Sequence, residues 1–181
     1  MGSPKALLRY REESFLDRLV GLFTPHCSPV IVVLGAHEEA IRVGARRPAT
    51  FVVNRDWPLG QTSSLQCGLA AVGPEAQGVL FTLVDHPAVS AGTIRQLLEP
   101  AFGDGLAPLV CVPRYRSRRG HPTWISRELI PELLAVREPR TAKDVVHAHC
   151  AETRFLDLDD PGIVANIDDP AAYRALTGAA L

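Results

Sequence analysis

Hydrophobic residues fall into short blocks whose period changes along the chain. Phe15, Leu16, Leu19, Val20 and Phe23 recur at helical spacing, and Pro25 ends that segment. Val30 to Leu34 is an unbroken apolar run of strand length that reads as a fully buried strand, followed by a turn at Gly35 and a short helix over Ala36 to Val43. Phe51 to Val53 predicts a second strand and Asn54 to Gly60 a loop. Thr62 then caps a helix that carries Leu65, Leu69 and Ala70 on one side. Val79 to Val84 predicts a third strand, stopped by Asp85-His86-Pro87, and a helical pattern resumes from Thr93 to Leu98. Leu109 to Val112 is a fourth strand, and a basic turn from Arg114 to Gly120 follows. Ser126 caps a helix through Leu129, Leu133 and Leu134, Ala142 to Ala148 forms another, and Arg154 to Leu158 is the last strand. Asp168-Asp169-Pro170 opens a final helix with Tyr173 and Leu176 on its face.

Apolar strands alternating with helices at short intervals predict an α/β fold: a three-layer, doubly wound, mostly parallel sheet with helices on both faces. The 181 residues suffice for one domain with a real core, and no repeat or low-complexity linker divides residues 1–181. With 19 Lys and Arg against 20 Asp and Glu, charge gives no reason to expect a nucleic acid or an anionic membrane as partner. A small anionic ligand stays compatible with that balance. The longest apolar runs, Pro29 to Leu34 and Val79 to Val84, are too short to cross a bilayer, so the expected location is the cytoplasm. Cys27, Cys67, Cys111 and Cys150 form no C-x-x-C pair and read as buried thiols. His147, His149 and Cys150 alternate at a helix end and do not share a face as i, i+4 metal ligands do.

Candidate chemistry collects where strands end, because ligands of open parallel sheets bind beyond the carboxyl ends of the strands. Lys5, behind the short Gly/Pro turn Gly2-Ser3-Pro4, suits a triphosphate, although the same residues also describe a solvated terminus. Asp85 directly follows an apolar strand. Its carboxylate is placed either to hold a magnesium ion bridging phosphates or to cap the next helix. In Asn54 to Leu65, Gly60 allows close approach of a flat ligand, and Ser63 and Ser64 offer hydroxyls and helix-start amides to a base or phosphate; a plain capped helix is the alternative. Asp168, after Asn166, is a second carboxylate for a cation, or a cap.

Taken in order, these segments resemble a known family. They are Gly2-Ser3-Pro4-Lys5-Ala6-Leu7-Leu8, Val53-Asn54 with Trp57 and Gly60, Ser63-Ser64-Leu65 with Gly68-Leu69, Leu83-Val84-Asp85-His86-Pro87, Arg119-Gly120-His121-Pro122, and Asp160-Pro161-Gly162 with Asn166-Ile167-Asp168. They resemble the MobA-like nucleotidyltransferases, particularly the molybdenum-cofactor cytidylyltransferase branch, over nearly the whole chain. The resemblance implies attack of a molybdopterin phosphate on the alpha phosphorus of a nucleoside triphosphate, CTP above GTP, with release of pyrophosphate. It further implies that Lys5 grips triphosphate oxygens and that Asp85 ligates magnesium, with Asp168 as second carboxylate. Asn54, Gly60, Ser63 and Ser64 would line the nucleotide pocket. Arg119, Gly120, His121 and Pro122 would border the acceptor, where Arg114, Arg116, Arg118 and Arg119 are placed to meet a phosphate. A guanylyl- or sugar-phosphate nucleotidyltransferase is an alternative. So is a non-catalytic carrier that presents the pterin cofactor to a molybdenum hydroxylase. A dinucleotide-dependent dehydrogenase would need a G-x-G-x-x-G turn after the first strand, and none is present.

In one respect the chain departs from that pattern. Family members place a strand and an Ala/Gly-rich turn before the lysine element, and that strand lies in mid-sheet. The expectation is therefore a sheet lacking its first strand, with facing edges unpaired, in a polypeptide that either starts upstream of Met1 or is a trimmed relative.

Overall fold

The computed structural model describes residues 4–103 and 106–178. The turn expected at Gly2 and Ser3 thus lies outside the described residues, whereas Lys5 lies inside. A 3₁₀ turn over Lys5–Leu7 leads into a tight hairpin of β1 (Arg9–Tyr10) and β2 (Glu13–Ser14), which reverses through Arg11 and Glu12 at positive φ. Ser14 then caps α1 (Phe15–Phe23) by accepting from the Asp17 amide, and the chain continues through β3 (Ile31–Leu34), α2 (Glu38–Gly44) and β4 (Thr50–Val53). Next come α3 (Gln61–Ala70), β5 (Gly78–Phe81) and α4 (Ala91–Phe102), the last capped by Ser90. The strands β6 (Val110–Tyr115), β7 (Arg118–Arg119) and β8 (Thr123–Ser126) precede α5 (Ile130–Ala135) and α6 (Ala142–Ala148). The chain closes with β9 (Thr153–Asp157), a 3₁₀ turn over Pro161–Val164 and α7 (Pro170–Thr177).

Side-chain alternation on the strands separates two helical layers. On β6, Val110 and Val112 face Leu65, Leu69, Leu133 and Val145 of α3, α5 and α6, while Cys111 between them faces Leu97 of α4. Ile125 and Trp124 of β8 split in the same way. On the α4 side, α1 contributes Leu19 and Phe23 against Ile94 and Ile163. The architecture is the expected three-layer α/β sandwich.

The sheet is mixed in direction and split in two. β3 pairs in parallel with β4, and β6 in parallel with β9, whereas β8 pairs antiparallel with both β5 and β6, and β7 antiparallel with β6. The antiparallel share comes from the basic turn, which is a hairpin: Arg116 and Ser117 adopt positive φ and send the chain back. Among the described residues, β3 pairs on one edge only and β5 on one edge only. An apolar cavity of about 730 Å³ runs between them. Its flanks are Val30 to Leu34 and Gly78 to Val84, and Leu16, Leu19 and Val20 of α1 and Ser64, Leu65, Gly68 and Leu69 of α3 also line it. The expected pair of unpaired facing edges is present, and it explains why β3 is only half-buried except at Leu34.

Smaller differences have local causes. Thr62 lies inside α3 rather than capping it; Gly60 occupies the cap position, and the Thr62 hydroxyl accepts from the Ala142 amide across to α6. The four cysteines are free. Of the four expected to be buried only Cys111 is; Cys27 and Cys67 are half-buried and Cys150 is exposed, and desolvation raises the Cys27 and Cys111 thiols to about 11. His149 pairs with Glu132 at 2.7 Å. Among the described residues no helix is long and apolar enough to cross a membrane.

Candidate active site

Lys5 is not a loose terminus. Backbone bonds from Leu7 to Pro4 and from Leu8 to Lys5 close its turn, and the buried Ala6 and Leu8 pin it to the clusters under α1 and α7. The ammonium is thereby set between two carboxylates, donating to Asp168 Oδ1 at 2.5 Å and lying 3.9 Å from Asp85 Oδ2. Asn166 donates to the other Asp168 oxygen at 2.5 Å, and the hydrogen bond from Lys5 holds the Asp168 carboxyl below the usual carboxylate range.

The two capping alternatives are decided by neighbours. Ser90, not Asp85, accepts from the first turn of α4, and Asp169, not Asp168, accepts from Ala172 at the start of α7. Asp85 and Asp168 are left to face Lys5. β5 stops at Phe81 rather than running to Val84, so Asp85 sits in the turn beyond the strand and not directly at its end. The proximity of Asp85 and Asp168 comes from the backbone: the Ile167 amide donates to the Asp85 carbonyl at 3.0 Å, laying residues 166–168 beside that turn. Asp160 anchors the same segment by accepting from Ser90, Thr93 and Gly162.

Asn54 leaves β4 buried and organises the second group. Its amide nitrogen donates to the hydroxyls of Ser63 at 2.9 Å and Ser64 at 3.0 Å, and its oxygen accepts from the Asp56 amide. Ser63 in turn donates to the carbonyls of Gly60 and Asp56, so the loop is stapled to the first turn of α3. Gly60 holds φ of 95° with open space where a side chain would be, a conformation that needs glycine and leaves its backbone accessible. Ser64 lines the cavity together with Ala6 and Val84, the residues next to Lys5 and Asp85, so both groups border the same cavity.

The Arg119-Gly120-His121-Pro122 segment is only partly drawn in. Gly120 lies so close to Ile163 that a Cβ would stand 2.3 Å from its carbonyl oxygen, and the His121 amide donates to that oxygen at 2.9 Å. The His121 ring then packs edge-on to His86 at 4.9 Å, and Pro122 is fully buried behind it. Desolvation, with His86 adding to it, lowers the His121 pKa to about 4, so the ring is neutral near pH 7. The arginines stay outside. Arg119 and Arg114 stack on Phe155, Arg114 also forms a two-pronged pair with Asp157, and Arg116 covers Tyr115.

Sequence reasoning assigned no part to His86, whose Nδ1 lies 2.8 Å from Asp85 Oδ1; a histidine beside an aspartate carries no periodic signal that would reveal it. Among the described residues no three His, Cys, Asp or Glu side chains gather as a metal cage. Two carboxylates flanking an ammonium nevertheless suit a hard divalent cation, which takes one or two carboxylates and fills its remaining positions with water and phosphate oxygen. The ammonium would then be free to turn to the phosphates.

Known proteins carry the same arrangement of chain. The chain is 34% identical over 139 residues to nicotine blue oxidoreductase of Paenarthrobacter nicotinovorans, covering 71% of this chain and spanning only 65% of that protein's length. It is 21% identical over 172 residues to molybdenum cofactor cytidylyltransferase of Escherichia coli K12, covering 94% of this chain and 85% of that one. Rv0371c of Mycobacterium tuberculosis H37Rv superposes with a TM-score of 0.83 at 28% identity, over 99% of this chain and 91% of its own. A second structure of Rv0371c, in complex with manganese, superposes at 0.79, again at 28% identity, over 98% of this chain and 94% of its own. The family model for the MobA-like NTP transferase domain matches residues 1–153, and the chain belongs to that family.

Proposed function

We propose that this protein is a nucleotidyltransferase that moves CMP from CTP to molybdenum-bound molybdopterin and releases pyrophosphate. The observation that carries this reading is the placement of Lys5 between Asp85 and Asp168 at the rim of the sheet. A magnesium ion held by Asp85 and Asp168 would neutralise triphosphate charge and orient the alpha phosphorus for in-line attack. Lys5, released from Asp168, grips triphosphate oxygens as a compact point charge. Asn54, Gly60, Ser63 and Ser64 bind the nucleoside through hydroxyls and accessible backbone. Gly120, His121 and Pro122 form the acceptor side, with Arg118 and Arg119 within the same hairpin as candidates for the acceptor's phosphate. Catalysis on this plan is positioning and charge neutralisation, with no covalent step on the protein.

The manganese complex of Rv0371c supports the metal, and the likeness to the Escherichia coli molybdenum cofactor cytidylyltransferase supports the pterin acceptor. The relative named as an oxidoreductase supports a different chemistry, and the chain spans only 65% of that protein's length. The test is pyrophosphate release from CTP or GTP with molybdenum-bound molybdopterin and magnesium. Turnover supports the reading. Binding without turnover would make the protein a carrier of the cofactor for a molybdenum hydroxylase.

A further inference from the structure

We propose that His86 is a positioning residue that locks the Asp85 carboxylate in the rotamer able to receive a divalent cation, an inference that rests on the metal site proposed above. A free aspartate carboxylate can turn about its last bond; this one is held by a single atom. Because an ionised carboxylate only accepts, the 2.8 Å contact means that His86 Nδ1 carries the proton and donates it to Oδ1. Oδ2 is thereby left on the side of Lys5, 3.9 Å from its ammonium.

The donor itself cannot swing away. His86 is 5% exposed, and the edge of its ring is fixed against His121, which packs in the same manner on Phe81 at 5.6 Å. Behind it, the Pro87 carbonyl accepts from Arg18 Nε at 2.6 Å, which fixes the backbone that carries the ring. The arrangement is maintained although His121 Nδ1 is buried without a partner, the one such side-chain atom among the described residues. A purely space-filling role for the two rings would be served as well by apolar side chains, which bury no orphan nitrogen. What an apolar ring could not supply is the N–H on Asp85. Partners of this kind around metal-binding carboxylates fix ligand orientation, and their loss commonly weakens metal binding about 10–100-fold.

The test is Mn²⁺ binding, followed by calorimetry and by the electron paramagnetic resonance of the free ion, in the whole 181-residue protein and its variants. His86→Phe keeps the ring and removes the donor. His86→Asn replaces the ring with an amide whose N–H stands close to the position of Nδ1–H. The expected result is that His86→Phe weakens Mn²⁺ at least about tenfold, while His86→Asn stays within about threefold of the parent. Parent-like affinity in His86→Phe, or equal loss in both variants, would overturn the proposal by reducing His86 to packing. Asp85→Asn is the control: if it loses Mn²⁺ and His86→Phe does not, only the positioning role falls. If Asp85→Asn also binds like the parent, the metal site falls and the positioning role with it. A readout in the unmodified protein does not depend on folding of the variants. Long-range proton–nitrogen correlation spectra should show His86 as the Nδ1–H tautomer, and the Nε2–H tautomer would overturn the assignment.

Discussion

Asp85 and Ser64 are given different work by their surroundings, and single substitutions separate the two. Asp85 contributes charge beside Lys5 and caps nothing, so Asp85→Asn should lower pyrophosphate release by at least about 100-fold, in the range seen when one electrostatic stabiliser is removed. Its thermal midpoint should stay near the parent's, since no helix loses a cap; a collapsed midpoint would make Asp85 structural. Ser64 accepts from Asn54 and lines the cavity, so its expected share is one hydrogen bond to the nucleotide. Ser64→Ala should raise KM for CTP about 2–10-fold, the worth of one such bond, with kcat nearly unchanged. An unchanged KM would confine the serine to stapling the loop. His121 gives a pH dependence of stability. Its folded pKa of about 4 lies below its ordinary 6.5, so the unfolded chain takes up the proton first as pH falls. Stability is then full above pH 6.5 and is lost progressively down to about 4, by a total on the order of 3 kcal/mol at 1.36 kcal/mol per unit. His121→Phe should flatten the loss in a series of urea denaturations between those limits, and an unaltered slope would contradict it.

Among the elements, legibility tracked the length of the pattern. Helices α1 and α6 were read to within a residue or two, because several apolar positions repeat at one period and a proline or a cap marks an end. β6 was read in part, as a strand over Leu109 to Val112, but its partner β7 and the hairpin β1–β2 were not foreseen as strands. Strands of two residues carry no alternation, and their turns use Arg11, Glu12, Arg116 and Ser117 at positive φ, where glycine or asparagine would have signalled the reversal. β8 was missed for a related reason: Thr123 to Ser126 is short and runs straight into the 3₁₀ turn that Ser126 caps. In the site, Lys5, Asp85 and Asp168 each had a chemical reading from local sequence with capping or a solvated terminus as the alternative, but their grouping came only through the resemblance to a family, since 163 positions separate Lys5 from Asp168 and no periodicity links them. The hydrogen bond from Ile167 to the Asp85 carbonyl that joins them is a tertiary fact. The slot between β3 and β5 gives the prediction at this scale. Two strand edges and two apolar helix faces border about 730 Å³, so an amino-terminal extension that lays a strand there should raise the thermal midpoint. The same extension should tighten CTP with magnesium in calorimetry, by bringing ordered backbone donors up to Lys5. Equal affinity in the extended and 181-residue forms would separate the slot from the nucleotide site.

For the molecule as a whole, the fold assembles one rim from distant parts of the sequence. The 3₁₀ turn of Lys5, the turn after β5 that carries Asp85 and the 160–168 segment meet there, and Ser64 of α3, which Asn54 holds, lines the adjoining cavity. A net charge of −1 leaves this rim, rather than any overall field, to attract a triphosphate, so CTP binding should depend weakly on bulk ionic strength and strongly on divalent cation. The central claim is nucleotidyl transfer at the rim, and the most direct measurement follows the transferred group itself. CTP labelled at the alpha phosphorus is incubated with molybdenum-bound molybdopterin and magnesium, with the parent protein and with Asp85→Asn. The account predicts label in the pterin product, pyrophosphate in equal amount, and neither with Asp85→Asn. Label that stays in CTP with the parent protein, or transfer that persists in the variant, would contradict it.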